Sequence, residues 1–469
     1  MNNKKITHML VFFSVLFLSL IVYLTAIELF YKDEYVSSNF NQRNSMLEDS
    51  VLRGSIYASG GERLAYSRVE NGEQKRYYPF LNLYSHVIGY STKTYGKSLI
   101  EKSYNTELLG ENGISSVFNL KSKLSGEMPL GNDLYLTIDH DVQSVASQMM
   151  GSRNGAMVAI NPKTGAVIAM VSKPDFNPNQ TWLTQNWAKL STDENSTFFT
   201  RASMGLYPPG STFKTITSAS IIDNLMDDTE VEDEGKIKIG SKEISNTKDK
   251  AYGTIGIEDA FKVSSNVYFA SVGASLGAEK LQDTAENFSF NKKLGFKLPY
   301  SKSRFETGHI SDEDMATTSI GQGKTLVSPL HLAMITGAIA NDGKMMKPYI
   351  VEKVVSPSGV TVDSAYQSSL SQAISPFTAK KIKEMMLEVV ETGTGTNARI
   401  YGIDVAGKTG TAENERTDAE PDKTHALFIA FAPYDDPEIA VAVILEYAGG
   451  TGGSLAAPIA REAIRTYLR

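Results

Sequence analysis

The segment Tyr207-Pro-Pro-Gly-Ser-Thr-Phe-Lys-Thr215 holds a serine and a lysine at a spacing that suits acyl transfer. Its prolines and glycine end one element and let a helix begin at Ser211. A hydroxyl there sits at the positive end of the helix, which favours a developing anion. Lys214, three residues on, lies on the same helical face, one turn away. In a crowded site its amine can lose its proton and draw the hydroxyl proton from Ser211, turning that oxygen into a nucleophile. Alone the pattern is weak, because a serine cap followed by an exposed lysine occurs in many helices.

Two further segments supply partners. Lys262-Val-Ser-Ser-Asn266 precedes the apolar run Val267 to Ala274. Ser264 and Asn266, two apart in a loop, can face one cleft while Ser265 points away. Ser264 would relay a proton between two lysines and the leaving amine, and Asn266 would bind a substrate amide. By itself this pattern is more often a helix cap than a catalytic element. Val405-Ala-Gly-Lys-Thr-Gly-Thr411 reads as a strand shortly before the last hairpin. Lys408 and Thr409 suit a terminal carboxylate, and Gly410 permits close approach of substrate backbone. The backbone N–H of Thr411, with that of Ser211, would form an oxyanion hole.

Two other segments imitate active-site motifs. Lys163-Thr-Gly165 repeats three letters of the last segment, but Pro162 and Gly165 explain it as a hairpin turn. Gly321-Gln-Gly-Lys-Thr325 hints at a phosphate loop, yet Thr318 stands where that loop requires glycine. No G-x-S-x-G elbow is present, which disfavours an ordinary α/β-hydrolase.

The elements that must position these groups can be read from periodicity. Asp133 to Asp139 alternates as a strand, and Val142 to Met150 follows as a helix. Ala156–Ile160 and Ala166–Val171 are apolar strands around the turn Asn161-Pro-Lys-Thr-Gly165. His425–Phe431 and Glu438–Tyr447 form a second hairpin around Tyr434-Asp-Asp-Pro437, and a helix follows from about Ala457 to Leu468. The middle reads as helical and poor in strands. Two hairpins plus the strand at Lys408 imply an α+β (α/β in the broad sense) fold, with a five-stranded antiparallel sheet between helices.

Upstream, Lys4 and Lys5 precede an uncharged apolar stretch from about Met9 to Ile27. That length spans a hydrocarbon core of about 30 Å, and the early lysines place the N-terminus in the cytoplasm. Leu24-Thr-Ala-Ile-Glu28 is a poor cleavage site, so an anchor is expected rather than a signal peptide. A polar helical stalk is expected from Lys32 to about Val51. Short segments broken by Gly and Asn then run to about Met128, with Tyr84 to Tyr90 strand-like. The expected domains are residues 1–31 as stub and anchor, 32–132 as a non-catalytic spacer, and 133–469 as the catalytic domain.

Composition narrows the function classes. Forty-six basic and 53 acidic residues leave a net charge of −7, with no dense basic run for nucleic acid. The absence of cysteine excludes a thiol nucleophile, a disulfide framework, a Cys-based zinc site and a lipoprotein anchor. Six histidines include no H-E-x-x-H pair. Neither metal nor cofactor is expected.

The three segments, in this order, occur in penicillin-binding proteins and class A β-lactamases, with Ser264-Ser-Asn266 standing where S-D-N is commoner. The chain resembles a class B, monofunctional penicillin-binding protein over nearly its whole length. Asp133–Asp139, Gly155–Gly165, Ser319-Ile-Gly-Gln-Gly323, Ala340-Asn-Asp-Gly343 and Gly393-Thr-Gly395 all read like that family's transpeptidase domain. Arg53-Gly-Ser-Ile56 is similar to the R-G-x-I that opens its non-catalytic region, although Tyr57-Ala-Ser59 replaces the usual Asp-Arg continuation. The resemblance implies that Ser211 is acylated by a D-Ala-D-Ala stem peptide, with Lys214 as base. Ser264 and Asn266 would form the second motif, and Lys408, Thr409 and Gly410 the third, beside Thr411. D-Ala would leave, a neighbouring stem amine would resolve the acyl-enzyme, and penicillin would be trapped at Ser211. It also implies a polytopic membrane glycosyltransferase as partner.

Other classes share some of these features. A β-lactamase would need a deacylating E-x-x-L-N loop, and none stands between Asn266 and Lys408. A D,D-carboxypeptidase differs only in its acceptor. A membrane-bound β-lactam sensor would need a cytoplasmic output domain, which the residues before Met9 are not expected to supply. An inactive scaffold would not need Ser211, Lys214, Ser264 and Lys408 together.

Overall fold

Alternating apolar side chains along the last hairpin leave both faces of its strands to be covered. Ile439, Val441, Val443 and Leu445 join one buried cluster, while Ala440, Ala442 and Ile444 join the other. The computed structural model, which describes residues 3–27, 50–111, 128–306, 308, 311–414, 420 and 423–469, shows what covers them. The strands lie in a five-stranded sheet ordered Ala406–Ala412, His425–Ala432, Ile439–Leu445, Gly155–Ile160 and Val167–Lys173. Every neighbouring pair is antiparallel. Helices His140–Met150 and Ala457–Tyr467 pack on one face, and Pro329–Ala340, buried at all its residues, on the other.

The expected sheet is thus present, and its boundaries differ by a residue or two. Asn161 shapes the first hairpin, its Oδ1 accepting the N–H groups of Lys163 and Thr164. Gly165 there takes φ +83°, which explains the Lys163-Thr-Gly165 sequence as turn chemistry. Lys163 pairs across the sheet end with Asp436.

The middle of the chain is not strand-poor. Short strands Val231–Asp233, Lys236–Ile239, Lys242–Ser245 and Gly253–Ile255 form two small pairs between the first two motifs. Four more follow between Lys344 and Gln372. They are three to five residues long and rich in charge, too short for alternation to stand out: Lys236–Ile239 alternates, but over four residues only.

A second sheet has six strands in the order Thr361–Ser364, Val351–Val355, Asp133–Leu136, Ile56–Tyr57, Arg63–Glu70 and Glu73–Tyr77. It therefore joins chain from the spacer region to strands inserted far along the catalytic region. Tyr84 to Tyr90 is not a strand. It holds the 3-10 turn Leu81–Tyr84 and the helical turn Ser85–Ile88. Ser85 to Ile88 are all buried, so no period exposes the difference, and His86 Nε2 reaches Pro174 O at 2.9 Å.

Arg53-Gly54 has a physical reason here. Arg53 donates to both Glu101 Oε2 and Glu101 O at 2.6 Å, and to Asn105 Oδ1 at 2.6 Å. Arg76 Nε donates to the other carboxylate oxygen at 2.8 Å, and Tyr78 Oη at 3.1 Å. A side chain on Gly54 would lie 1.9 Å from Asn132 O.

The apolar helix at the start of the chain spans Asn3–Ala26. Its stretch Lys4–Ala26 has a mean hydropathy of 2.5 and is unburied, long and apolar enough to cross a membrane. The expected stalk from Lys32 to Val51 lies outside the described residues except at its last two positions.

Burial pushes the Glu101 carboxyl up, but Arg76 and Arg53 outweigh it and hold it at about 2. The network's stabilisation is therefore complete above the usual value of 4.5 and is lost as pH falls toward 2. Glu101→Gln, leaving two buried guanidiniums uncompensated, is expected to destabilise by about 3–5 kcal/mol in denaturant unfolding at pH 7. That loss should shrink in acid.

Candidate active site

Ser211 lies in a 3-10 turn, Gly210–Phe213, that runs straight into the buried helix Lys214–Asp223. The turn is held from two sides. Gly210, at φ +52°, donates its N–H to Gly321 O at 2.8 Å, and a side chain on Gly321 would lie 2.0 Å from Gly210 O. Thr217 Oγ1 donates to Ser319 O at 2.8 Å. Ser319-Ile-Gly-Gln-Gly323 is thus a cradle for the serine turn rather than a phosphate loop. Upstream, the hydroxyl of Tyr207 and Nε of Arg201 both donate to Glu446 Oε1, at 2.7 and 3.0 Å. These contacts tie the approach to the turn to the end of the central sheet.

Lys214 is fully buried. Its Nζ donates to Ser264 O at 2.8 Å, Ser264 Oγ at 3.3 Å and Asn266 Oδ1 at 2.7 Å. Among the described residues it makes no hydrogen bond to Ser211, whose side chain is partly exposed. Ser264 caps the helix Ile257–Val263 in a left-handed conformation, φ 62° and ψ 42°. That backbone turn aims its hydroxyl at Lys214 and, from the opposite side, at Lys408 Nζ, 2.9 Å away. Ser265 does point away: its Oγ donates to buried Asp233 Oδ2 at 2.6 Å and accepts from Tyr268 N at 3.0 Å.

Asn266 is held from both ends of its amide. Its Nδ2 donates to Ser245 O at 2.8 Å while its Oδ1 faces Lys214, so both ends of the amide are engaged by protein. Its place is beside the lysine.

Lys408, also fully buried, lies on the edge strand Ala406–Ala412. Thr409 Oγ1 meets Thr394 Oγ1 at 2.6 Å, which puts the Gly393-Thr-Gly395 turn against the third motif. A side chain on Gly410 would meet Thr212 Cγ2 at 3.0 Å and Pro209 O at 3.3 Å. The missing Cβ therefore makes room for the serine turn. Thr411, exposed, is next on the strand, and its carbonyl lies 2.7 Å from where a Cβ on Gly210 would stand.

The electrostatics follow from burial. The Lys214 amine is held well below the ordinary lysine range, by desolvation first and by the charge of Lys408 second, against the pull of Asp233. Desolvation brings Lys408 down to about 7. Two amines without a full positive charge, sharing one hydroxyl, can pass a proton among themselves at neutral pH.

Thr394, Asp233 and Asn246 were not anticipated from sequence. Thr394 stands in the Gly393-Thr-Gly395 turn, whose sequence resembles the family's but does not by itself show the contact with Thr409. Asp233 and Asn246 sit in a charged stretch of short strands with nothing to separate them from solvated hairpin residues.

Comparison with known proteins agrees with this geometry. Residues 155–465 match the penicillin binding protein transpeptidase domain, and residues 53–134 the penicillin binding protein A dimerisation domain. Peptidoglycan D,D-transpeptidase PbpA of Mycolicibacterium smegmatis is 33% identical over 100% of this chain and 99% of its own length. The penicillin G acyl-enzyme of penicillin-binding protein A from M. tuberculosis superposes with a TM-score of 0.84 at 31% identity, covering 90% of this chain and all of the other. The D,D-transpeptidase domain of a peptidoglycan glycosyltransferase from Eggerthella lenta gives 0.79 at 34%, over 89% and 98%. With three motifs meeting in one buried site and the family's domain spanning most of the sequence, the chain belongs to the penicillin-binding transpeptidases.

Proposed function

We propose that Ser211 is the nucleophile of this chain's reaction, the cross-linking of peptidoglycan stem peptides. The chain is a serine-type D,D-transpeptidase, covalently inhibited by β-lactams. The observation that carries the assignment of roles is the convergence of Lys214, three residues after Ser211, and Lys408 on Ser264 Oγ.

Lys214, kept neutral by burial and by Lys408, takes the Ser211 proton as the oxygen attacks the penultimate D-Ala carbonyl. The N–H groups of Ser211 and Thr411 receive the oxyanion. Ser264, hydrogen-bonded to both lysines, carries the proton to the departing D-Ala amine. Lys408 and Thr409 attract the terminal carboxylate, and Asn266 holds Lys214 in line. A stem amine of a neighbouring strand then attacks the ester, its proton returning by the same route, and Ser211 is released. A β-lactam enters the first half-reaction and has no leaving group that departs.

The helix Asn3–Ala26 anchors the chain once in the bacterial cytoplasmic membrane, with Lys4 and Lys5 inside and the catalytic domain outside. Residues 32–132 form the spacer and 133–469 the catalytic domain. Growing glycan reaches the site from a polytopic glycosyltransferase working beside it.

Full-length chain in detergent, incubated with a fluorescent penicillin, should carry a stable adduct on the Ser211 peptide by mass spectrometry, and Ser211→Ala should carry none. Absence of label from the folded parent would sink the catalytic reading. With a stem-peptide donor and an amine acceptor, cross-linked product is expected, whereas hydrolysed tetrapeptide alone would make the chain a carboxypeptidase.

Acylation efficiency against pH should be bell-shaped. Its acid limb rises as Lys214 loses its proton. Its alkaline limb starts near 7, where Lys408 loses the charge that attracts the carboxylate. Lys408→Arg, which stays protonated, should shift the alkaline limb upward even though it acylates more slowly. An unchanged limb would remove Lys408 from that role.

A further inference from the structure

Asp233 and Asn246 belong to none of the three motifs. Asp233 ends the strand Val231–Asp233, and Asn246 follows the hairpin strand Lys242–Ser245. They are buried, at 0% and 4% exposure. A buried carboxylate with no basic partner in hydrogen-bond contact among the described residues is unusual, and the order of its hydrogen bonds shows what it holds.

The carboxylate of Asp233 accepts from Gly235 N at 2.8 Å, from Ser265 Oγ at 2.6 Å, and from Asn246 Nδ2 at 2.7 and 2.8 Å. A carboxylate only accepts, so the Asn246 amide must turn its nitrogen toward it. Lys250 O, at 2.8 Å from the same nitrogen, imposes the same orientation. The Asn246 oxygen then faces the start of the helix Asn266–Leu276, where it accepts Asn266 N at 2.7 Å and Val267 N at 3.2 Å. These are donors that the helix itself leaves unpaired. On the other side, Ser265 caps the helix while tethered to Asp233. The chain of bonds ends at the lysine: Ser245 O fixes the Asn266 nitrogen, which turns its oxygen onto Lys214 Nζ. Between these anchors Ser264 stands at φ 62°, a conformation that a serine keeps only when its surroundings hold it.

We propose that Asp233 and Asn246 are positioning residues of the reaction, clamping the second motif so that Ser264 Oγ and Asn266 Oδ1 stay on the two lysines. The inference rests on the role of Ser264 and Asn266 in the function proposed above. It gives the small hairpins between the first two motifs a task that burial of apolar area does not require of them.

The test measures the rate of Ser211 acylation by fluorescent penicillin in full-length chain, with the melting temperature of each variant. Asp233→Asn sets an amide nitrogen against that of Asn246, and acylation should slow by about 10–100-fold. Asn246→Ala, which removes the acceptor for the helix N–H groups, should slow acylation at saturating penicillin by a similar factor and leave the concentration giving half the maximal rate within about threefold of the parent. Combined with Asp233→Asn it should add less than about threefold, because both act through one clamp. Acylation by Asp233→Asn within about twofold of the parent would overturn the inference. So would an Asn246→Ala variant that melts like the parent and acylates at the parental rate. Should Asp233→Asn fail to fold, Ser265→Ala decides, since it removes the tether and the cap on Tyr268 N while leaving the Asp233–Asn246 pair intact: slowing of about tenfold or more supports the clamp, and a parental rate overturns it. An unlabelled parent would instead refute the function proposed above, so the two failures are told apart.

Discussion

Lys214 and Lys408 are both fully buried, and their amines meet at a single hydroxyl, that of Ser264. Removing two ammonium groups from water costs several kcal/mol per ion when no carboxylate pairs with them. The protein meets that cost by letting the amines lose charge and by giving each hydrogen-bond acceptors: Ser264 O and Asn266 Oδ1 for one, Thr409 O for the other. The depressed basicity that suits Lys214 to the proposed role of base is thus a direct consequence of where it is buried. Exposure of either amine would restore its proton and remove the reason for the site.

That constraint explains why the surrounding backbone is so closely approached. The serine turn, the edge strand and the loop carrying Ser264 come from three distant parts of the sequence. They can meet at one place only where side chains are missing. Gly410 lets the serine turn lie against the edge strand, and Gly321 lets the cradle lie against Gly210. Glycine in these places is an allowance for contact between backbones, and the central sheet, buried on both faces, holds the contact rigid.

The N-terminal unit solves a different electrostatic problem. Glu101 stays ionised without solvent because Arg53 and Arg76 occupy both its oxygens, in contrast to the lysines, which shed charge for lack of such a partner. A network of that kind favours one register between the segments it joins. Here those segments border a sheet that also takes in strands from residues 351–364, so the spacer and catalytic regions are built into one another.

Local sequence determined much of this protein. The two apolar hairpins were legible because Asn161, Gly165 and the alternation of strand residues act over a few positions. The serine and lysine of the first motif were legible because three residues of a helix always bring them to one face. The pairing of Val231–Asp233 with Gly253–Ile255, the helical turn at Ser85–Ile88, and the tasks of Asp233, Asn246 and Thr394 were decided by tertiary structure alone. Each depends on a partner far off in sequence: Asp233 on Ser265, Asn246 on the N–H groups of Asn266 and Val267, and Thr394 on Thr409. Gly410 shows the divide within one residue. Its freedom from a side chain was readable in the sequence, but only the packed fold reveals that Thr212 and Pro209, not substrate alone, require it.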